Sequence, residues 1–243
     1  MKAIIFSAGL GTRFKPWTDH HPKALAPVNG KPLLQRNIEY LQQYGIRDVV
    51  VNVHHFPDQI IEAVKTNNGW GSNVMISDES DSVLETGGGL LKAADLLRSN
   101  EPFISINADI LTNLNITKLL EYHKKQEALI SFGVTTRPSS RNLLFDENYR
   151  LVGWKNNQTE EYRMANKSLS GKEPNIIARS YSCVVVYQPE VLDLITQRGK
   201  FSVIDVYLDL GGAHKIMGYD HSGDLLVDVG KPDSVAKAEA LFP

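Results

Sequence analysis

Two cations and two carboxylates occupy positions where a polyphosphate and a metal ion could meet. The apolar run Lys2–Phe6 leads directly into Ser7-Ala8-Gly9-Leu10-Gly11-Thr12-Arg13, and Pro22-Lys23 follows shortly after. A strand that ends in glycines lets backbone N–H groups converge on an anion, because Gly tolerates the nest conformations this requires. Ala8, Gly9, Gly11 and Thr12 would supply that backbone, while Arg13 and Lys23 would add fixed positive charge beside phosphate oxygens. The pattern implies a nucleoside triphosphate site. It is not a Walker A loop, which ends in Gly-Lys-Ser/Thr. Phe14 also stands where a dinucleotide fingerprint has its third glycine, which argues against hydride chemistry.

The carboxylates are Asp109, which closely follows the apolar run Phe103–Asn107, and Asp228, which follows the apolar residues 225–227. Both should emerge at strand ends. Mg²⁺ needs only one or two protein carboxylates when phosphate oxygens and water complete its shell, so this pair suffices. Taken alone, either aspartate could be a helix cap and Gly9-Leu10-Gly11 a plain turn. The histidine pairs His20-His21 and His54-His55 lack cysteine or carboxylate neighbours at ligand spacing and read as polar loop residues. Cys183, the only cysteine, lies in an apolar stretch and reads as a buried structural thiol.

These residues need a scaffold, and the chain alternates apolar runs with helical spacings through its first half. Strands are expected over residues 2–6, 46–53, 73–77, 102–108 and 128–134. Helices are expected over 31–44, 57–65, 87–98 and 115–126. This rhythm predicts an α/β fold with a mostly parallel sheet and right-handed crossovers. Ligands then bind beyond the carboxyl ends of the strands. The segments 9–13 and 85–89, Asp109 and Asp228 should converge there.

After Arg137 the pattern becomes β-rich. Residues 143–145 and 151–154 flank a turn and predict a hairpin. Residues 156–173 read as a polar loop or flap and 176–187 as a long strand. Short helices are expected over 189–195 and from a Ser202/Asp205 cap to residue 210. Residues 215–219 and 225–229 read as a second hairpin, and 233–241 as a terminal helix.

Composition narrows the function classes. The chain has 243 residues and a formal net charge of -2, so no basic surface suggests nucleic acid as a partner. Met1 leads straight into a core strand, and no apolar run approaches the ~20 residues of a membrane span. The expectation is a cytoplasmic chain without a membrane partner, a monomer or small homo-oligomer.

The motifs together resemble the sugar-1-phosphate nucleotidyltransferase family. The resemblance runs through residues 8–13, Pro16, Pro22-Lys23, Pro27-Val28-Asn29-Gly30-Lys31-Pro32-Leu33, Glu85-Thr86-Gly87-Gly88, Asn107-Ala108-Asp109 and Val227-Asp228-Val229-Gly230. Leu84-Glu85-Thr86-Gly87-Gly88-Gly89 is most similar to members acting on N-acetylmuramate-, mannose- or heptose-1-phosphate. This implies a Rossmann-like mixed, mostly parallel sheet flanked by helices, with a β-rich sugar-binding insertion in the GT-A manner. A single domain would have residues 1–136 as its nucleotide-binding half and 137–243 as its sugar-phosphate-binding half.

Carried over, Gly11, Thr12 and Arg13 would hold the triphosphate and Lys23 would neutralise charge at the reacting phosphates. Thr86 and Gly87, with the loop containing Asp81 and Glu85, would lie against the base. Asn107 would approach the sugar or nucleoside, and Ser182 would lie on the sugar-side strand. Asp109 and Asp228 would hold Mg²⁺. The implied reaction joins an NTP and a sugar-1-phosphate with release of pyrophosphate, using positioning and charge neutralisation rather than a general base. Two departures bear on acceptor choice: Cys183 and Ala108 stand where relatives usually have Gly. Two alternatives belong beside this reading. One is a cytidylyltransferase for a phosphorylated alcohol such as phosphocholine. The other is an idle sugar-nucleotide-sensing subunit, against which the retention of Arg13, Lys23, Asp109 and Asp228 speaks.

Overall fold

The computed structural model describes residues 1–165, 171, 173 and 175–243. The first half supplies β1 (Lys2–Phe6), β2 (Pro27–Val28), β3 (Lys31–Pro32), α1 (Leu33–Gln42), β4 (Asp48–Val53), α2 (Pro57–Thr66) and β5 (Asn73–Asp78). It continues with α3 (Glu85–Lys92), α4 (Ala94–Leu97), β6 (Phe103–Asn107), β7 (Ile110–Thr112), α5 (Ile116–Gln126) and β8 (Ile130–Thr135). The second half supplies β9 (Arg141–Phe145), β10 (Leu151–Asn156), β11 (Glu161–Met164), β12 (Ile177–Tyr187) and α6 (Val191–Leu194). It ends with α7 (Val203–Gly211), β13 (Ile216–Asp220), β14 (Leu226–Asp228) and α8 (Asp233–Leu241).

Ten strands form one sheet in the order β11-β10-β9-β12-β6-β1-β4-β5, with β8 also on β12 and β13 on β8. β6, β1, β4 and β5 are mutually parallel. Alternate residues along these strands enter opposite cores. Ile4 and Val50 face the layer of Leu90, Leu97, Val206 and Tyr207, whereas Ala3, Ile5, Val49 and Val51 face that of Leu34, Ile38, Leu41 and Leu119. Burial on both faces explains why these strands read as unbroken apolar runs rather than alternating ones. Each fully buried Leu or Ile contributes about 1.5–3 kcal/mol.

Several elements differ from the sequence expectation. The helix expected over 31–44 begins only at Leu33, because Lys31–Pro32 pairs with Pro27–Val28. The helix expected over 87–98 starts at Glu85 and breaks after Lys92 into two pieces. The polar stretch 156–173 contains a strand, β11, antiparallel to β10; residues 166–170 and 172 lie outside the described residues. The hairpin of β9 and β10 is present, with a register shift between Leu151 and Gly153. So is the reciprocal Ser202/Asp205 cap on α7.

The second expected hairpin is absent. β13 runs parallel beside β8, and β14 crosses to pair antiparallel with β7. A tight turn divides them: the Asp220 carboxylate accepts from the Ser222 N–H at 3.0 Å, and the Leu225 N–H donates to Asn113 Oδ1 at 2.7 Å. These side-chain bonds redirect the chain over β7, and no local hydrophobic pattern encodes them.

Candidate functional site

β1 delivers the glycine loop to the carboxyl edge of the sheet, and the loop is anchored before it becomes exposed. The buried Ser7 N–H donates to Asn52 Oδ1 at 2.7 Å, and Ser7 Oγ donates to the Asn52 carbonyl at 2.6 Å. Gly11 is left-handed, with φ 60°. Its carbonyl accepts from the Phe14 N–H at 2.7 Å and from Thr18 Oγ1 at 2.9 Å. A Cβ on Gly11 would lie 2.7 Å from Thr18 Cγ2, so both conformation and space demand glycine there.

Phe14 acts through packing. It is buried with Val28, Leu33, Val227 and Val229 in a small apolar cluster. That cluster fixes Arg13, the neighbour of Phe14, relative to Asp228, which lies between the two valines. Gly230 leaves the room they share: a Cβ there would lie 2.8 Å from Asp228 Oδ1 and 3.2 Å from an Arg13 Nη2.

The two aspartates meet because β14 pairs with β7. Asp228 stands opposite Ile110, and the Val229 N–H donates to the Asp109 carbonyl at 2.8 Å. Lys23 forms a short ion pair with Asp109 Oδ2 and lies 5.7 Å from the Phe14 ring centroid. Burial, and then the negative charge of Asp109, push the Asp228 carboxyl above its ordinary range, while Lys23, Arg137 and Arg13 oppose the shift. Asp228 Oδ1 is buried without a hydrogen-bond partner among the described residues. An orphaned carboxylate oxygen beside a second carboxylate fits a divalent cation, which would relieve both the repulsion and the missing contact. Among the described residues, no group of three or more His, Cys, Asp or Glu could hold a metal, so the remaining ligands would come from substrate and water.

A cavity of about 340 Å³ joins the glycine loop, Lys23 and Asp109, with Asp228 outside its lining. Ala8, Gly9, Gly11, Thr12, Arg13, Lys23, Glu85, Thr86, Asn107 and Asp109 all line it. Val83, from the loop expected against the base, lines it as well, as do Asn52 and Gly230, for which the sequence implies no contact. Asn52 sits inside a β-branched run, so its amide could have been noticed as a polar residue in an otherwise apolar strand.

Three expected binding residues are placed elsewhere. Asp81 is exposed and outside the lining. The Gly87 N–H donates to the Phe201 carbonyl at 3.0 Å, and a Cβ at Gly87 would lie 2.4 Å from the Phe201 ring. This glycine serves helix-to-loop contact, and its neighbour Thr86 accepts from the Val203 N–H at 3.1 Å. Ser182 is fully buried and bonded to His221 Nε2 at 2.7 Å. Cys183 is only partly buried and adopts φ 58°, where the β12–β8 register shifts between Tyr181 and Val185. The regular buried strand expected there is interrupted by this bulge in its pairing with β8.

Residues 2–142 match the family described as nucleotidyl transferase. The chain is 30% identical over 242 residues to N-acetylmuramate alpha-1-phosphate uridylyltransferase of Neisseria meningitidis, covering 99% of this chain and 98% of that one. It is 28% identical to mannose-1-phosphate guanyltransferase of Yarrowia lipolytica, covering 100% of this chain but only 64% of the relative. A similar fold occurs in a crystal structure described as a putative glucose-1-phosphate thymidylyltransferase from Bacillus anthracis. The TM-score is 0.80 at 18% identity, covering 99% of this chain and 94% of the other.

Proposed function

The chain belongs to the nucleotidyl transferase family, and from that premise we propose that it transfers a nucleoside monophosphate from an NTP to a sugar-1-phosphate, releasing pyrophosphate. One observation carries this reading: the glycine loop with Arg13 and Lys23 opens into the same cavity as Asp109, behind which Asp228 holds an unpartnered oxygen. In this reading, residues 1–136 take the nucleotide and 137–243 the sugar phosphate. The NTP requirement places the reaction in the cytoplasm. No described helix is long and apolar enough to cross a membrane.

The family generally uses a divalent metal, and the donor set here suits Mg²⁺. Held by Asp109 and Asp228, Mg²⁺ would act as a Lewis acid toward phosphate oxygens. The chain's own residues do the rest. The Gly9–Gly11 backbone and Thr12 hold the polyphosphate, and Arg13 faces the departing pyrophosphate. Lys23 is poised between Asp109 and the phosphates, so substrate entry exchanges one anionic partner for another. The nucleophile is already an anion. Catalysis therefore rests on alignment and charge stabilisation, and no side chain needs to remove a proton.

Pyrophosphate release tests the proposal, with the four NTPs paired in turn with mannose-, glucose- and N-acetylmuramate-1-phosphate in the presence of Mg²⁺. At least one pair should turn over, and Asp109→Ala should abolish it. Silence across all pairs overturns the reading.

A further inference from the structure

We propose that Arg137, a residue outside the lining of the nucleotide cavity, anchors the phosphate of the acceptor; this rests on the reaction proposed above. Arg137 lies just beyond the end of β8. Since β8 is antiparallel to β12 and β12 is antiparallel to β6, β8 runs in the same direction as β6 and β1. Its carboxyl end therefore opens at the same edge as the glycine loop and Asp109, where ligands of such sheets bind. The register brings the two sides together. Val184 pairs with Ile106, so the preceding residues Cys183 and Ser182 come level with Asn107 and the turn into Asp109. Tyr181, next along the same strand, receives Arg137: its carbonyl accepts from Nη2 at 3.1 Å.

That single bond leaves most of the guanidinium uncommitted. Its Nε is buried without a partner among the described residues. Two other arginines of this β-rich side, Arg163 and Arg179, bond to the Asp205 and Asp220 carboxylates. Arg137 has no such partner among the described residues. The buried His221 is not an alternative cation. Its Nε2 is held by Ser182, and burial keeps the ring below its ordinary range despite Asp224 and Asp220 nearby. The positive charge of Arg137 also opposes the upward shifts that burial imposes on Asp228 and Cys183.

The chemistry needs a cation in this position. The incoming phosphomonoester and the triphosphate are both anions, and attack and departure must be roughly in line. Arg13 and Lys23 serve the triphosphate, so the acceptor must be neutralised from the opposite side. A guanidinium can grip a phosphate with paired N–H bonds, and such a grip would give Nε the acceptor it lacks. An unpaired buried donor is costly, so the present pose on Tyr181 is one that anion binding would replace. In the transfer, an acceptor phosphate oxygen bonds to the α-phosphorus while the α-phosphorus bond to the bridging oxygen breaks. Pyrophosphate leaves with that electron pair, and Arg137 neither gives nor takes a proton.

Steady-state kinetics of the full chain test the assignment, with the best donor and acceptor from the three sugar-1-phosphates above. Arg137→Gln should raise the acceptor KM about tenfold or more and leave the NTP KM within about twofold. Arg137→Lys, which keeps charge but not the fork, should fall between. NTP binding measured by calorimetry without acceptor should be equal in all three proteins, which also shows that each is folded. An unchanged acceptor KM in Arg137→Gln, or NTP and acceptor KM values rising together, overturns the anchor while leaving the reaction standing. No turnover by the unsubstituted protein with any acceptor removes both.

Discussion

Gly11 and Cys183 adopt almost the same left-handed backbone, with φ 60° and 58°, on opposite sides of the cleft. At Gly11 the conformation suits the residue. At Cys183 the side chain pays about 1–2 kcal/mol for it. The nucleotide side is made of neighbours in sequence: Gly11, Phe14 and Thr18 fix one another within a single loop. The acceptor side is made by pairing across long separations. Ile106, Val134 and Leu144 all align on β12, and Cys183 lies where its register with β8 shifts. A local device can be preformed without strain; a site assembled from distant strands keeps strain that its neighbours overrule.

Removing Asp228, which couples the two sides, should give the largest effect. Asp228→Asn should lower turnover about 10²–10³-fold, the usual cost of losing one electrostatic stabiliser. It should also raise the melting temperature measured without divalent ions, because it removes a buried carboxyl that repels Asp109 and leaves Oδ1 unpaired. Pyrophosphate release and a thermal melt read the two changes, and a loss of both activity and stability would contradict the tension assigned to this residue.

The acceptor-side strand β8 also carries an acid-sensitive contact. His123 on α5 is buried, with Nδ1 2.9 Å from Ser131 Oγ, and burial lowers its pKa from 6.5 to about 4. The unfolded chain therefore takes up the proton first as pH falls. This contribution to stability is complete above about pH 6.5, is lost between there and about pH 4, and amounts to about 3 kcal/mol. Urea unfolding at pH 7, 5.5 and 4.5 should show the decline, and His123→Gln should flatten that part of it.

On the nucleotide side, Gly11→Ala tests the fit of the loop. A methyl group there meets Thr18 and Lys23 Cβ, at 2.7 and 3.2 Å, in a backbone that disfavours it. The expected cost is about 1–3 kcal/mol of stability, with an NTP KM raised more than the acceptor KM.

The same contrast explains what could be read from the chain. The strand-loop signature of Lys2–Phe6 and Gly9–Arg13, the parallel core and the cap at Ser202 are local patterns, and each is legible in the sequence. The pairing of Asp228 with the Asp109 turn was anticipated only as convergence of two strand ends. Its actual route, through β14 on β7, depends on the Asn113 and Asp220 bonds. Gly87 and Ser182 were assigned to ligands because of their motif positions, yet each is committed to a partner far away in sequence, Phe201 and His221. Sequence pattern places a residue at an edge; it does not say which way a hydroxyl or an amide will be used.

Cys183→Gly is the smallest and most diagnostic change. Glycine removes the left-handed penalty of about 1–2 kcal/mol, but it returns about 0.5–1 kcal/mol as added freedom in the unfolded chain and loses the packing of a partly buried thiol. The net change in stability should stay within about 1 kcal/mol of zero. The functional change should be one-sided. The register brings the Cys183 backbone level with Asn107, which lines the cavity, so losing its side chain should lower the KM of bulkier sugar-1-phosphates relative to smaller ones and leave the NTP KM unaltered. If Cys183→Gly instead shifts the NTP KM as Gly11→Ala does, the two sides of the cleft are one mechanical unit, and the division between a preformed nucleotide loop and a separately assembled acceptor wall is wrong.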